Sequence, residues 1–268
     1  MPLSASHLYH LPAAVALGLT DVGLVRTGNE DNFLIDADLG LAMVADGMGG
    51  HQSGEVASAG ALTAVRDYLR AHGAELPRED SDDADATWSD PSMRAVGLIY
   101  NALDAANQHL YQLNLQRGSP DGGGMGTTLC GFWHPPGHAA LVLFNVGDSR
   151  LYRRRDGRLE QLTRDQTLYQ QALDAGMFEH LPARNLLAQA VGPSPAIMPE
   201  VRSLPVPPGT LLMLCSDGLY GAVPHGEMEQ ALAGTDASTL ENACARLIAL
   251  AKDYGGRDNI TVLLTQYA

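Results

Sequence analysis

The 268-residue chain is 45% hydrophobic and 18% charged, ordinary globular usage that suits one large domain or two small ones. Its formal net charge of -14 comes from 31 Asp and Glu against 16 Arg and a single Lys, Lys252. That balance disfavours nucleic acid as a partner, because phosphate-backbone binding is cation-driven.

In chain order, the apolar patch around Leu11 to Leu19 lacks a basic leader, is broken by Pro12 and Gly18, and is too short to span a bilayer. Residues 1–14 are therefore expected to be an N-terminal tail, with neither signal peptide nor membrane anchor. Val15–Asp21, Asn32–Asp36 and Gly40–Ala45 read as three short strands in an antiparallel meander. Gly54–Ala71 follows as a helix with Val56, Leu62, Val65 and Leu69 on one face.

Glu75–Asp90 holds seven acidic residues and one Arg without periodicity, the pattern of an acidic surface loop. A second helix is expected over Met93–Asn114, then a Gly-rich break, Gly118–Gly124. Strands resume at Gly126–Trp133, Ala139–Val146, Arg150–Arg154 and Arg158–Leu162, with Asp156-Gly157 as a hairpin turn. A helix is expected from Asp165, an irregular Pro-rich stretch over Phe178–Pro208, and a strand at Leu211–Cys215. Helices near His225–Leu232 and Leu240–Asp253 and a strand at Asn259–Gln266 complete the chain. Strands and long helices are segregated, so the fold class is α+β. The chemical signals run from Glu30 to Asp258 with no linker between them, so one domain over 15–268 is expected.

Three of the apolar runs end on an Asp beside a Gly: Leu41 to Asp46-Gly47, Leu143 to Gly147-Asp148, and Leu211 to Asp217-Gly218. A fourth carboxylate, Asp258, stands just before the run Ile260 to Leu264. One Asp-Gly pair is usually only a turn. Three at strand ends, joined by Asp258, suggest a fold that gathers carboxylates into an oxygen-only site for a hard divalent cation, Mg²⁺ or Mn²⁺. Arg26-Thr-Gly-Asn-Glu30-Asp31 adds a guanidinium that could grip phosphate oxygens. Asp46-Gly-Met-Gly-Gly-His51-Gln-Ser-Gly54 is a Gly-rich turn whose backbone can approach a metal, the Gly47 carbonyl being a candidate ligand. It is not a nucleotide P-loop, since the only Lys is followed by Asp253. The cysteines, Cys130, Cys215 and Cys244, are odd in number, and no Arg follows any of them at the six-residue offset of a Cys-based phosphate cradle. They read as core thiols of a reduced, cytoplasmic protein.

Taken in order, Arg26...Asn29-Glu30-Asp31, Val44-Ala-Asp-Gly-Met-Gly-Gly50, Gly126-Thr-Thr128, Asn145-Val-Gly-Asp-Ser-Arg150, Leu214-Cys-Ser-Asp-Gly-Leu219 and Asp258-Asn-Ile-Thr261 are similar to the bacterial metal-dependent serine/threonine protein phosphatases, the type-2C or PPM family. The resemblance covers about Val15 to Thr265. It implies an α-β-β-α sandwich of two antiparallel sheets with the metal site at one end. Asp46 would bridge two ions, Gly47 would offer its carbonyl to one, Asp217 and Asp258 would complete the other, and Glu30 would act through water. Asp148 with Asp217 would form a third, weaker position.

By the same resemblance Arg26 would bind the substrate phosphate, while Asp31, Thr127, Thr128 and Asn259 would orient the ligands. A water activated between two Mn²⁺ or Mg²⁺ ions would then hydrolyse phosphoserine and phosphothreonine in proteins. Two departures stand out. Met48 occupies the position of a His found in eukaryotic relatives, leaving His51 or a water as candidate proton donor, and Gln166 replaces the usual His at the start of the flap, about 165–192. The implied partners are phosphorylated proteins and a cognate Hanks-type kinase, with no nucleic acid or membrane, and the enzyme is expected to be a monomer. Some small members of this type sit beside type VI secretion systems. A catalytically weak, phosphoprotein-binding regulatory relative is the alternative, disfavoured because Glu30, Asp46, Asp148, Asp217 and Asp258 are all retained. A metal-dependent nuclease is opposed by the charge of -14.

Overall fold

Residues 7–49, 53–76, 91–119 and 124–268 are described, from a computed structural model. In chain order the strands are β1 (Tyr9–Leu11), β2 (Ala14–Asp21), β3 (Asp31–Asp36), β4 (Leu41–Met48), β5 (Gly126–Thr127), β6 (Leu129–Trp133), β7 (Ala140–Val146), β8 (Arg150–Arg155), β9 (Arg158–Gln161), β10 (Glu200–Pro205), β11 (Leu211–Cys215) and β12 (Ile260–Tyr267). The helices are α1 (Ser53–His72), α2 (Pro91–Gln116), α3 (Leu168–Asp174), α4 (Asp217–Tyr220), α5 (His225–Ala231) and α6 (Leu240–Asp253). Two sheets result, ordered β1-β2-β12-β11-β8-β9 and β10-β7-β6-β4-β3, with β5 paired to β4, and every strand pair is antiparallel.

The continuous apolar runs arise because the central strands are buried on both faces. Successive residues of β11 point alternately outward and inward. Leu211, Met213 and Cys215 join the core under α5 and α6, while Leu212 and Leu214 enter the core between the sheets. The second sheet mirrors this: Leu41, Met43 and Ala45 of β4 pack under α1 and α2, and Ala42 and Val44 face the first sheet. The inner layer is completed by Phe132, Leu141, Leu143 and Leu263. These layers make the expected α-β-β-α sandwich, and α1 and α2 are inserted between β4 and β5 as expected.

Four expectations need correction. The N-terminal tail contains β1, which pairs Tyr9 with Ala16 and Leu11 with Ala14 as an edge hairpin. The first three strands are not a meander: β3 and β4 form a hairpin in one sheet, but β2 leaves for the other and pairs along its whole length with β12. The helix placed from Asp165 starts at Leu168, because Thr167 is its N-cap and accepts from the Gln170 amide at 3.1 Å. The irregular stretch hides β10, an edge strand on β7 that ends on Pro205, where a missing amide is tolerated. Residues 77–90 of the acidic loop lie outside the described residues.

The inter-sheet layer dominates the stability expected of this arrangement. Leu214→Ala, fully buried there, should cost about 2–5 kcal/mol, whereas Leu115→Ala, an exposed position of α2, should stay within about 0.5 kcal/mol. Denaturant titration of both variants checks this; equal losses would contradict the layer assignment.

Candidate metal centre

Antiparallel pairing decides where the chemistry gathers. Asp31 at the start of β3 lies opposite Asp46 near the end of β4, and Cys215 at the end of β11 lies opposite Val262 near the start of β12 and Arg150 at the start of β8. All these strands turn at the same end of the sandwich. A cleft of about 540 Å³ opens there, lined by Arg26, Glu30, Asp46, Gly47, Asp148, Asp217 and Asp258, with Met48, Thr128 and Asn259 beside them. Asp31 and Thr127 are buried behind this lining, and His51 lies outside the described residues.

Asp46 and Glu30 are held through their backbone groups. The Asp46 amide donates to Thr128 Oγ1 at 2.9 Å, and the Asp46 carbonyl accepts from the Thr128 amide and from Thr127 Oγ1, each at 2.9 Å. This exchange breaks the strand expected over Gly126–Trp133 into β5 and β6. The Glu30 amide donates to Asn259 Oδ1 at 2.9 Å, and the Asn259 side-chain amide donates in turn to the carbonyls of Val22 and Gly28. Ser58 Oγ donates to the Glu30 carbonyl at 2.7 Å. The turn after Asp46 crosses the start of α1 so closely that a Cβ on Gly47 would strike the Gly54 carbonyl. Glycine is needed at both residues for this crossing, since a Cβ on Gly54 would lie 2.6 Å from the Glu30 carboxyl carbon.

Asp31 ties the sheets together beneath the cleft. Its Oδ2 accepts from Ser216 Oγ at 2.6 Å and from Thr261 Oγ1 at 2.7 Å, while its buried Oδ1 has no hydrogen-bond partner. Burial pushes this carboxyl up to about 7 against the two hydroxyls, and nearby Asp217 and Asp258 add to the rise.

The Asp148 loop is clamped from two sides by residues the sequence did not single out for it. Gln166, the departure from the expected His, accepts from the Gly147 amide at 3.0 Å through Oε1, and its own amide donates to the Gly147 carbonyl at 2.9 Å. Gly147 takes φ +104°, and a Cβ there would lie 2.7 Å from Thr128 Cγ2. On the other side Tyr220 Oη donates to the Asp148 carbonyl at 2.8 Å. The Arg150 guanidinium stacks 3.5 Å from the Tyr220 ring centroid and makes a two-pronged ion pair with Asp165 at 2.8 and 2.6 Å. In the sequence Arg150 closes the Asn145-Val-Gly-Asp-Ser-Arg150 motif and Gln166 stands out as a departure, but neither pointed to this clamp.

Crowding sets the electrostatics. Asp46 opens partly to the cleft, yet burial and then Asp31, Asp217 and Asp148 hold its carboxyl well above the usual range. Burial pushes Asp148 up to about 7, with Asp217 and Asp165 adding to it. Asp217 is raised too, by burial and Asp258, against a hydrogen bond with Asp46. Arg26 donates to Asp258 Oδ2 at 2.8 Å, so these two expected partners of phosphate and metal engage each other directly. Among the described residues no three carboxyls converge closely enough to coordinate one ion as they stand. The donor set nevertheless fits a hard divalent cation: every candidate ligand is an oxygen, and Asp46 and Asp217 already lie within hydrogen-bonding reach, where two carboxyls share a proton or a cation. Thiol chemistry has no place here. All three cysteines are buried and burial raises each thiol, Cys215 to about 12.

The family model described as Protein phosphatase 2C matches residues 26–262. The chain is 34% identical over 258 residues to the serine/threonine phosphatase stp of Listeria monocytogenes serotype 4b, covering 92% of this chain and 93% of the relative. The structure of PppA, a key regulatory component of T6SS in Pseudomonas aeruginosa, superposes with a TM-score of 0.78 at 30% identity, covering 96% of this chain and 99% of that one. The catalytic domain of the serine/threonine protein phosphatase PstP in complex with two manganese ions gives a TM-score of 0.75 at 31% identity, covering 95% and 98%. A match over this span, on the same two-sheet fold and with its carboxylates on one cleft, means that the chain belongs to the protein phosphatase 2C family and is a phosphatase.

Proposed function

We propose that this phosphatase hydrolyses phosphoserine and phosphothreonine in proteins, using two Mn²⁺ or Mg²⁺ ions held by Asp46, the Gly47 carbonyl, Asp217, Asp258 and Glu30. The observation that carries the reading is the convergence on one cleft of five carboxylates from separate segments, together with Arg26. The relatives' names and the manganese-bound neighbour support it from outside the chain. When bound, such ions supply Lewis-acid activation of a water nucleophile and neutralise charge on the phosphoryl group. The protein's own part is positional. Thr127 and Thr128 fix Asp46 through its backbone, and Asn259 fixes Glu30 in the same way. Asp31 braces the strand ends behind them. Arg26, more than half exposed at the rim, exchanges Asp258 for the substrate phosphate, where its fork can bind two oxygens.

Asp148 with Asp217 is the proposed third, weaker position. Met48 lies on the cleft without a titratable group, so the proton for the leaving alcohol comes from His51 or water. In the cell the enzyme acts as a cytoplasmic monomer against a cognate bacterial kinase, and the PppA likeness makes a secretion-linked pathway the first to examine. Among the described residues no helix is long and apolar enough to cross a membrane. Capture with Asp217→Asn followed by phosphosite mapping would name the substrates.

Turnover of p-nitrophenyl phosphate and of a phosphothreonine peptide with Mn²⁺ should fall by about two orders of magnitude or more with EDTA or with Asp46→Asn. Activity surviving both treatments would sink the metal-dependent reading, and peptide binding without turnover in the wild type would favour the regulatory relative.

The raised carboxyls also predict a pH-dependent stability. A folded-state value of about 7 for Asp148 means that its ionisation costs stability as pH rises from the ordinary carboxylate range through 7. Without metal at pH 8, Asp148→Asn should therefore melt about 2–4 °C above the wild type, and the gap should close at pH 4. A variant that melts lower at pH 8 would contradict the charge crowding.

A further inference from the structure

Helix α2 carries two amides, Asn107 and Asn114, that do not line the cleft and have no part in the chemistry proposed for it. They lie about two turns apart on one face of the helix and are 0% and 2% exposed. Among the described residues of α2, the other buried ones are apolar, Ile99, Leu103 and Leu110 being the largest. Asparagine is a poor helix former, and a buried amide without partners costs stability. Both side chains are instead fully engaged with backbone. Asn114 Oδ1 accepts from the Met125 amide at 3.0 Å, and its Nδ2 donates to the Met125 carbonyl at 2.8 Å and the Gly192 carbonyl at 3.1 Å. Asn107 Oδ1 accepts from the Gly192 amide at 2.8 Å, and its Nδ2 donates to the Ser194 carbonyl at 3.0 Å. A short carboxamide carries a donor and an acceptor side by side, which is what holding a backbone N–H and C=O together requires. The fit is close. Gly124 takes φ +136°, and a Cβ there would lie 2.6 Å from Asn114 Oδ1.

We propose that Asn114 and Asn107 are positioning residues of the metal centre, holding β5 and the end of the 165–192 segment so that the Gly47 carbonyl stays presented to a cation. The inference rests on the metal-dependent reading of the cleft. Met125 leads into β5, whose two residues give it little pairing of its own to fix its place. On one side β5 sets Thr127 opposite Gly47 and Gly126 opposite Met48. On the other, Thr127 exchanges both backbone hydrogen bonds with Val191, at 3.0 and 2.9 Å, one residue before Gly192. The two asparagines thus bind the backbone at the outer ends of both segments that stack beside Gly47, Met125 on one and Gly192 on the other. Gly47 has no side chain to anchor it, so its placement comes from these neighbours and from the crossing of α1.

The test is calorimetric titration with Mn²⁺ of the metal-stripped wild type, Asn114→Ala, Asn107→Ala and Leu103→Ala. The last removes buried contacts from the same helix without touching these hydrogen bonds. Asn114→Ala should weaken the tighter Mn²⁺ binding by about tenfold and Asn107→Ala by about threefold, as expected of groups that orient a ligand without touching the metal. The Mn²⁺ concentration for half-maximal turnover of p-nitrophenyl phosphate should rise by the same factors, with kcat recovered at saturating Mn²⁺. Leu103→Ala should lower the melting temperature yet bind Mn²⁺ within about twofold of the wild type, since it leaves the Gly47 junction intact. If Asn114→Ala does not fold, Asn107→Ala, which keeps all three Asn114 hydrogen bonds, decides the question. Wild-type Mn²⁺ affinity in the asparagine variants, or an equal loss in Leu103→Ala, overturns the proposal while the metal-dependent reading stands. A wild type that binds no Mn²⁺ overturns that reading and this proposal with it.

Discussion

Like-charge crowding at the joined ends of two sheets is the constraint around which the rest of the structure is organised. Burial raises the proton affinity of Asp46, Asp148 and Asp217, and neighbouring carboxyls add to it: Asp31, Asp217 and Asp148 at Asp46, Asp217 and Asp165 at Asp148, and Asp258 at Asp217. Such a cluster opposes folding unless something rigid resists its repulsion. The resistance is supplied by hydrogen bonds that join segments distant in sequence: Thr128 to Asp46, Asn259 to Glu30, and Asp31 to Ser216 and Thr261. Because the last of these crosses from one sheet to the other, the inter-sheet core and the proposed metal centre hold each other in place. Stability is thus given up at the site, and the cations proposed to bind there would restore it, a common exchange in metal-binding proteins.

Much of this was legible in the sequence because its signals were redundant. Leu41–Ala45 and Leu211–Cys215 are apolar at consecutive positions, the pattern of strands buried on both faces, and an Asp-Gly starts within two residues of the end of each run, at the end of the sheet where the cleft opens. The sheet membership of β2 was not legible. Its local pattern fits either partner, and what places it beside β12 is pairing across more than 200 residues. β10 was missed for a different reason: a six-residue edge strand flanked by prolines buries only one side chain fully, Leu204, and carries little periodic signal.

At the site the divide falls between the groups that line the cleft and the groups that hold them. The carboxylates and Arg26 were readable because the chemistry requires those residue types. Ser58, Ser149, Ser216 and Thr261 were not, since small hydroxyl residues are frequent everywhere and only long-range contacts give them a task. Gln166 is the instructive case. Read as a departure, it put the role of its position in doubt; in the structure it grips both backbone groups of Gly147. Together with Arg150 and Tyr220 it joins the start of the 165–192 segment to the Asp148 loop, so that this segment and the carboxylates share one set of contacts.

The central claim is that this oxygen cluster holds divalent cations jointly through Asp46. Calorimetric titration of the metal-stripped protein with Mn²⁺ tests it most directly, with Asp46→Asn as the comparison. Binding of at least two ions by the wild type and loss of the tighter binding in Asp46→Asn is the expected result. Equal binding by the two proteins, or no Mn²⁺ binding by the wild type in the millimolar range, would contradict it.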